Sequence, residues 1–243
     1  MPRNLFIIPC YNEEKRLRVK EFLKFSKTQK EIHILFVNDG STDKTAAILQ
    51  ELCIDVSQFT FLNLEKNEGK SGAIRQGVLH LEENNTFDYI GYLDADLATP
   101  LTEIPRLISE IEKRDTSPLF IMGARVKLMG TNIKRKVWRH YVGRVFATFV
   151  SKMLKIPVYD TQCGAKLIHK SVVFNIFREP LITKWLFDVE LIARLESILG
   201  VDKMEEVLLE VPIRQWQEIE GSKLKPTDFL KAPFELIKIW RHY

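Results

Sequence analysis

Two aspartates, Asp94 and Asp96, stand two residues apart where an apolar run ends, and their types and spacing suit metal chemistry. Side chains at positions i and i+2 of an extended segment point to the same side, so both carboxylates can face one ligand. Two neighbouring carboxylates repel each other unless a cation lies between them, and a hard divalent ion prefers such oxygen ligands. The pair therefore predicts a divalent-cation site, with a polar turn or a helix cap as the alternative.

The elements that must position this pair follow from the hydrophobic pattern. Apolar, β-rich runs alternate with helix-like stretches through the first half of the chain, and this alternation is typical of βαβ units and a doubly wound, mostly parallel sheet with helices on both faces. Ligands of such α/β folds bind at the carboxyl ends of the strands. The predicted strands are residues 5–8, 32–37, 59–64, 89–93 and 119–122, and the predicted helices are about 13–27, 43–52, 71–82 and 103–113.

The polar stretches of the chain fall at these strand ends and outline a crevice. They read PCYNEE, NDGSTD, EKNEGKSG and DADLATP after the first four strands. Asp39 can accept hydrogen bonds from a base or a ribose, and Lys70 with its neighbouring glycines suits the approach of a diphosphate. Helix capping alone would explain Ser41 and Thr42, and the glycine-lysine turn lacks the spacing of a P-loop.

The composition predicts one main domain over residues 1–243, because 45% hydrophobic content can bury one sizeable core. Three cysteines without paired spacing suit reduced thiols in a cytoplasm. The first apolar run is too short for a signal peptide, and no stretch approaches the roughly 20 apolar residues that span a bilayer. We therefore expect a soluble or peripheral protein.

Positive charge is concentrated in one part of the chain. Between Asp115 and Asp160 there are nine basic residues and no acid, which leaves −5 for the rest of a chain whose formal net charge is +4. Such a block points to an anionic partner that docks at one place.

This basic block contains a predicted helix over residues 134–155 with a wide apolar stripe. The stripe either packs against the sheet or lies in a membrane interface. The tail, residues 229–243, has the same character and suits a second membrane-facing helix or a homodimer contact. The stripe of the first helix comprises Val137, Trp138, Tyr141, Val142, Val145, Phe146, Phe149, Val150, Met153 and Leu154.

Taken in order, PCYNEE, VNDGSTDKT, NEGKSGAIRQG and YLDADL resemble the nucleotide-sugar half of the family-two inverting glycosyltransferases, which have the GT-A fold. The stretches at 158–169, 185–191 and 218–224 resemble polyprenyl-phosphate sugar synthases, dolichyl-phosphate β-glucosyltransferases more than mannose synthases. The resemblance covers nearly the whole chain. It implies a single GT-A domain with a nucleotide-sugar half at 1–125 and an acceptor half at 126–243.

On the donor side the resemblance implies that Asp94 and Asp96 hold the ribose, the diphosphate and a Mg²⁺ or Mn²⁺ ion. The mannose synthases have a metal-contacting Gln two residues beyond the second acid, and Ala98 stands there in this chain, which leaves the metal one protein ligand short. The residues implied to form the nucleotide site are Pro9, Tyr11, Glu13, Asp39, Lys70 and Asp94.

On the acceptor side the resemblance implies that Arg125, Arg135 and Arg139 bind a lipid phosphate, although solvated basic residues or contacts with anionic lipids remain an alternative. Asp188, besides Asp94 and Asp96, is a catalytic candidate that faces the donor sugar, or merely complements a helix dipole. The remaining sugar or lid candidates are Glu190, Trp216, Ser222 and Lys223.

The implied activity is inverting transfer of a hexose, glucose from UDP-glucose, to a dolichyl or undecaprenyl phosphate at the cytoplasmic face of a membrane. No nucleic-acid partner is expected. Transfer of mannose from GDP-mannose is the nearest alternative. A sugar-1-phosphate nucleotidyltransferase is a further one, but it needs a glycine-rich loop where this chain reads PCYNEE. A catalytically silent sensor of nucleotide sugars is the third.

Overall fold

The structure is a computed structural model and describes residues 3–83, 86–219 and 226–243. A seven-stranded sheet at its centre has the strand order β3-β2-β1-β4-β7-β5-β8. The strands of this sheet are β1 (Asn4–Cys10), β2 (Ile32–Asp39), β3 (Phe59–Leu64), β4 (Tyr89–Leu93), β5 (Phe120–Ala124), β7 (Ala165–His169) and β8 (Leu208–Pro212). A separate two-stranded sheet pairs β6 (Asn132–Lys134) with β9 (Gln215–Gln217).

Strand direction makes the sheet mostly parallel. Strands β1 to β4 form parallel pairs, and β5 pairs in parallel with β8. Strand β7 runs antiparallel between β4 and β5. The helices are α1 (Val19–Thr28), α2 (Thr45–Asp55), α3 (Gly69–Glu82), α4 (Glu103–Glu112), α5 (Val137–Leu154), α6 (Lys170–Phe177), α7 (Phe187–Leu199), α8 (Met204–Val207) and α9 (Pro226–His242).

Each face of the sheet carries its own apolar core. Leu5 and Ile7 of β1 pack on the face covered by α3, α6 and α7, whereas Phe6 and Ile8 pack on the face covered by α1, α2 and α4. Successive side chains of a strand point to opposite faces, so a continuous apolar run is what a strand covered on both sides requires. This is why the short β1 run could be recognised as a buried strand.

The five strands predicted for the first half are all present, but the first helix starts later than expected. Helix α1 begins at Val19 rather than near residue 13. The intervening residues form a turn, in which the backbone N–H of Arg16 donates to the carbonyl of Glu13 at 2.9 Å. The Glu13 N–H donates instead to the hydroxyl of Thr45 at 2.7 Å. This turn carries Arg16 towards the rim of the sheet.

Strands β7 and β8 were not predicted. Both come from beyond residue 125 and join the sheet formed by the earlier strands. The proposed division into a donor half and an acceptor half therefore stays a prediction about function. Strand β7 brings the preceding loop, residues 160–164, beside the end of β4, where Asp94 lies.

Helix α5 packs one side of its apolar stripe against the protein and leaves the other side exposed. Ala147, Val150 and Leu154 are buried. The opposite edge is exposed and includes Val137, Trp138, Tyr141, Val142, Val145 and Phe149. None of the helices within the described ranges combines the length and the apolar character that a membrane crossing requires.

Candidate functional site

A cavity of about 1160 Å³ opens at the carboxyl ends of β1, β2, β4 and β5. It brings together most of the residues that the sequence analysis assigned to a site. Those that line it are Pro9, Tyr11, Glu13, Asp39, Lys70, Asp94, Asp96, Arg125, Arg135, Arg139, Asp188 and Trp216. Ser222 and Lys223 lie outside the described residues.

Asp94 lies directly after β4 and forms an ion pair with Lys70 from the first turn of α3. The Lys70 Nζ atom is 2.5 Å from Oδ1 of Asp94. Burial disfavours the charged form of Lys70, but attraction to the carboxylates of Asp94 and Asp188 outweighs it and raises the lysine pKa. Lys70 therefore remains a cation beside Asp94.

Asp96 lies in the turn that follows and has a cationic neighbour of its own. Its Oδ1 accepts the backbone N–H of Ala98 at 3.0 Å, and its Oδ2 is 3.3 Å from Nη2 of Arg16. Burial, followed by the charge of Asp94, raises the pKa of Asp96. Leu97, between these residues, has a φ of +54°, a strained conformation for a residue with a side chain.

Arg16 is a site residue that the sequence analysis missed, because residues 13–18 were predicted as helix. Besides Asp96, its guanidinium approaches Glu13, with 3.4 Å between Nε and Oε2. The available signal was a basic residue in the polar loop that follows the first strand.

The aspartate pair fits a divalent cation by its chemistry. Carboxylate oxygens suit Mg²⁺ and Mn²⁺, and Mg²⁺ in particular is commonly held by one or two carboxylates together with substrate phosphates and water. Within residues 3–83, 86–219 and 226–243, no group of three or more His, Cys, Asp or Glu side chains is arranged to hold a metal. A cation at Asp94 and Asp96 would therefore rely on ligands from a bound phosphate group.

Asp39 organises the loop between β3 and α3 and lines the cavity. Its carboxylate accepts the backbone N–H of Glu68 at 2.7 Å and the side-chain amide of Asn67 at 2.9 Å. The following residue, Gly40, has a φ of +62°, and a β-carbon there would be 2.7 Å from the backbone nitrogen of Asn67. This close packing fixes the wall of the pocket in which Asp39 lies.

On the opposite side of the cavity, Arg125 is held by a buried carboxylate. Its Nε and Nη2 donate to the two oxygens of Asp160 at 2.6 and 2.7 Å, and its backbone N–H donates at 3.0 Å. Burial opposes ionisation of Asp160, but Arg125 overcomes that effect and lowers the pKa of Asp160 to about 2. The indole of Trp216 packs on the guanidinium, with 5.3 Å from Cζ to the ring centre. Arg125 is thus rigidly oriented.

Arg135 and Arg139 are less constrained. The guanidinium of Arg135 makes no hydrogen bond or ion pair with the described residues, and its pKa is lowered by burial and by the charge of Arg125. Arg139 pairs with Glu218 at 2.7 Å, while its Nε is buried without a hydrogen-bond partner among the described residues. These two groups have capacity for an anion.

Asp188 and Glu190 both lie in the first turn of α7 but have different surroundings. Asp188 lines the cavity, and its Oδ1 accepts the hydroxyl of Tyr92 at 2.5 Å and lies 2.8 Å from Nζ of Lys166. Glu190 is fully buried and accepts the backbone N–H of Thr183 at 2.8 Å and a guanidinium N–H of Arg194 at 2.8 Å. The expectation that Glu190 contacts the sugar is therefore corrected: its carboxylate holds the loop before α7.

The outer wall of the cavity is apolar and is formed by α5 and α9. Phe149 and Trp240 line it while remaining 63% and 66% exposed. A surface of this kind, in which aromatic side chains stay in contact with water, is expected to have a partner. Its other members include Val142, Val145, Phe146, Met153, Ala232, Pro233, Leu236 and Ile237.

The sequence model described as "Glycosyl transferase family 2" matches residues 5–177, which include nearly all of β1, strands β2 to β5, the pair Asp94 and Asp96, and β7. The chain belongs to glycosyl transferase family 2. The predicted family is thereby confirmed, and the chain is a glycosyltransferase.

Curated relatives extend the likeness beyond the matched region. The dolichyl-phosphate β-glucosyltransferase of Saccharomyces cerevisiae is 32% identical over 257 aligned residues, covering 98% of this chain and 74% of the relative. The human dolichyl-phosphate β-glucosyltransferase is 30% identical and covers 90% of this chain and 69% of the relative.

Solved structures with the same architecture confirm the predicted α/β fold of the GT-A type. Glucosyl-3-phosphoglycerate synthase of Mycobacterium tuberculosis, solved with Mn²⁺, UDP and its product, has a TM-score of 0.66 at 15% identity and covers 98% of this chain and 78% of its own. Mannosyl-3-phosphoglycerate synthase of Rubrobacter xylanophilus has a TM-score of 0.72 at 13% identity, with 98% and 73% covered.

Proposed function

We propose that this family 2 enzyme transfers glucose from UDP-glucose to a polyprenyl phosphate, with inversion, at the cytoplasmic face of a membrane. The observation that carries the proposal is a single cavity with an exposed apolar wall. It joins the acids Asp94, Asp96 and Asp188 to the candidate acceptor arginines Arg125, Arg135 and Arg139. The acids suit a sugar donor with its metal ion, the arginines suit a phosphate, and the apolar wall suits a lipid chain. The names of the curated relatives support transfer of glucose to a polyprenyl phosphate.

On the donor side, the carboxylates of Asp94 and Asp96 would hold a Mg²⁺ or Mn²⁺ ion, which supplies positive charge to the departing diphosphate. Lys70 and Arg16 already balance the charge of these carboxylates. The side chains of Lys70 and Arg16 lie beside the aspartates, so both can bind the oxygens of a diphosphate that enters there. The pocket wall fixed by Asp39 receives the nucleoside.

The acceptor requires little proton chemistry from the protein. A phosphate monoester has a second pKa of about 6, by analogy with phosphorylated side chains, so its oxygen is already anionic near neutral pH. The arginines have to bind and aim this oxygen at the anomeric carbon, opposite the leaving nucleotide. Arg135 offers a guanidinium that has no ion-pair partner within the part of the chain that the structure describes, Arg139 exchanges Glu218 for phosphate, and Arg125 fixes the direction.

The exposed apolar wall supports a location of this chemistry at a bilayer. The exposed side chains of α5 and α9 bury in the interface, and the basic block around α5 attracts anionic head groups. The lipid chain of the acceptor then reaches the arginines along the same surface. A peripheral enzyme of this kind needs no membrane-spanning helix among its described elements.

The test is a transfer assay with a short polyprenyl phosphate and four donors: UDP-glucose, UDP-galactose, UDP-GlcNAc and GDP-mannose. We expect a glucosyl lipid of inverted anomeric configuration, formed only with Mg²⁺ or Mn²⁺ present. Turnover with GDP-mannose alone would refute the glucose assignment. Consumption of UTP with release of pyrophosphate would instead support nucleotidyl transfer.

A matched pair of acid substitutions distinguishes a loss of turnover caused at the site from a general effect of removing a carboxylate. Asp96→Asn should reduce turnover by at least about 100-fold, because a preorganised electrostatic contact to the transition state is lost. Asp202→Asn, at an exposed acid beyond α7, should leave turnover unchanged. Equal turnover of both variants would show that Asp96 does not contribute to catalysis, whereas donor binding in calorimetry without any product would argue for a catalytically silent nucleotide-sugar binder.

A further inference from the structure

Lys166, in the middle of β7, is a buried charge that the proposed mechanism does not use. Its side chain has no exposed surface, so it cannot touch a substrate. A buried ammonium requires acceptors on all sides, because its desolvation is otherwise unfavourable. The groups that accept hydrogen bonds from Lys166 therefore indicate its role.

Two of the acceptors belong to the loop that precedes β7. The Lys166 Nζ atom donates to the backbone carbonyl of Thr161 at 2.8 Å and to that of Cys163. The same loop contributes Asp160, which holds Arg125, and Gly164, which packs against Asp94. Lys166 thus fixes a loop that contacts both the donor side and the acceptor side of the cavity.

The third acceptor is the catalytic candidate Asp188, at 2.8 Å from Nζ. The hydroxyl of Tyr92 donates to the same carboxylate oxygen. Of the charged groups that face Asp188 across the cavity, Lys70 attracts it, and Asp94 lies beyond Lys70. Lys166 and Tyr92 approach Asp188 from the sheet and leave the cavity side of α7 for a ligand.

Stability alone gives little reason for this arrangement. Replacing a buried ion pair by apolar residues of similar volume is often neutral or stabilising. Position 166 lies in a core strand between Ala165 and Leu167, which are apolar and buried. The retained charge therefore points to a role exerted through its partner.

We propose that Lys166 is a positioning residue, which is anchored on the carbonyls of the 160–164 loop and holds Asp188 towards the donor sugar. Tyr92 assists by fixing the same carboxylate oxygen. The proposal rests on the proposed transferase function, because it assigns Asp188 to the sugar of the donor.

A double-mutant cycle on turnover tests the coupling. We compare Lys166→Met, Asp188→Asn and the double variant, with the donor and acceptor that the wild type turns over. Lys166→Met should lower kcat by about 100-fold, as expected when a reacting geometry shifts by about 1 Å, with little change in the donor KM. The double variant should be no slower than Asp188→Asn, because Lys166 acts through Asp188. Losses in kcat that multiply would overturn the proposal.

A buried ion pair of the same helix provides the control. Arg194→Met removes the partner of Glu190 and should lower the thermal unfolding midpoint while kcat per folded molecule stays unchanged. If Lys166→Met fails to fold, Tyr92→Phe replaces it in the cycle, since it removes the other donor to the same Asp188 oxygen. Its kcat loss should likewise disappear in the Asp188→Asn background, and a loss that persists would contradict the proposal.

A structural test that does not depend on turnover uses crystals of Lys166→Met soaked with UDP-glucose. We expect the Asp188 carboxylate to rotate away from its wild-type position. An unchanged carboxylate overturns the positioning role even where the wild type is active. A wild type that turns over none of the donors, combined with a rotated carboxylate, would instead count against the proposed function alone.

Discussion

Gly164 lies directly against the carboxylate of Asp94. A β-carbon on Gly164 would be 2.6 Å from Cγ of Asp94 and would overlap one of its oxygens. The glycine is therefore required for space, since the carboxylate occupies the volume that a side chain would take. The Asp94 carboxylate is bounded by this loop on one side and by Lys70 on another.

We predict that Gly164→Ala displaces the Asp94 carboxylate and weakens both metal binding and turnover. A shift of about 1 Å at a reacting group can cost about 100-fold in rate. The measurements are the Mn²⁺ concentration for half-maximal activity, which should rise, and kcat, which should fall. Gly123→Ala is the matched control, because its β-carbon would crowd Ile213 and Cys163 in the core at 3.0 and 3.1 Å without reaching Asp94. Equal losses of activity in both variants would contradict the prediction.

The sequence predicts the rim of the sheet well, because each rim residue follows a strand that a continuous apolar run reveals. Asp39 and Asp94 were located in this way. Strand β7 escaped prediction because Lys166 interrupts its apolar pattern, and because an antiparallel strand inserted between β4 and β5 leaves no local signal. Arg16 reaches Asp96 across 80 positions of sequence, through a turn that resembled a helix.

The error at Glu190 has a simple geometric cause. Residues two apart in a helix point in different directions, so Asp188 and Glu190 cannot both face the cavity. The spacing of Glu190 and Arg194, four residues apart, was the signal that favoured an ion pair within α7.

Lys70→Gln should have opposite effects on two ligands of the aspartate pair: the affinity for Mn²⁺ should rise and the affinity for UDP should fall. Without the ammonium, Asp94 loses its cationic neighbour, so Mn²⁺ should bind more tightly in the absence of nucleotide. UDP should bind more weakly, because its diphosphate loses a cation. Titration of free Mn²⁺ by electron paramagnetic resonance and calorimetry with UDP measure the two effects. Lys66→Gln, at an exposed lysine of the loop before α3, should change neither.

Arg135→Gln should affect the acceptor selectively. A hydrogen bond to a charged group contributes about 1.5–3 kcal/mol, so the KM for the lipid phosphate should rise by about 10- to 100-fold. Binding of UDP should be unchanged. Lys136→Gln, at the exposed neighbouring position, provides the control in the same acceptor titration. A rise in the donor KM instead would place Arg135 at the diphosphate.

Acid should weaken the fold through Asp160. Its pKa is about 2 in the folded protein, against about 3.9 in an unfolded chain, so its pairing with Arg125 stabilises the fold above pH 4 and is lost as the pH falls towards 2. The expected loss is about 2–3 kcal/mol in the free energy of unfolding. Urea unfolding of the wild type and of Asp160→Asn should give curves that differ at pH 5 and converge near pH 2. A constant difference across this range would show that Asp160 does not titrate as described.

Membrane docking can be separated from catalysis with side chains that are exposed but lie outside the cavity lining. Val137, Tyr141 and Phe234 are 72%, 66% and 74% exposed on α5 and α9. Replacing all three by Ser removes apolar area that would enter the interface, so flotation with anionic liposomes at low salt should be lost. Transfer to a short, water-soluble acceptor should persist, because the arginines and aspartates are untouched. Ile54→Ser is the control, since Ile54 is 79% exposed on α2, on the face of the sheet away from α5 and α9, and its loss should leave flotation intact. A triple variant that still floats would remove α5 and α9 as the docking surface, whereas a wild type that never floats would exclude interfacial docking itself.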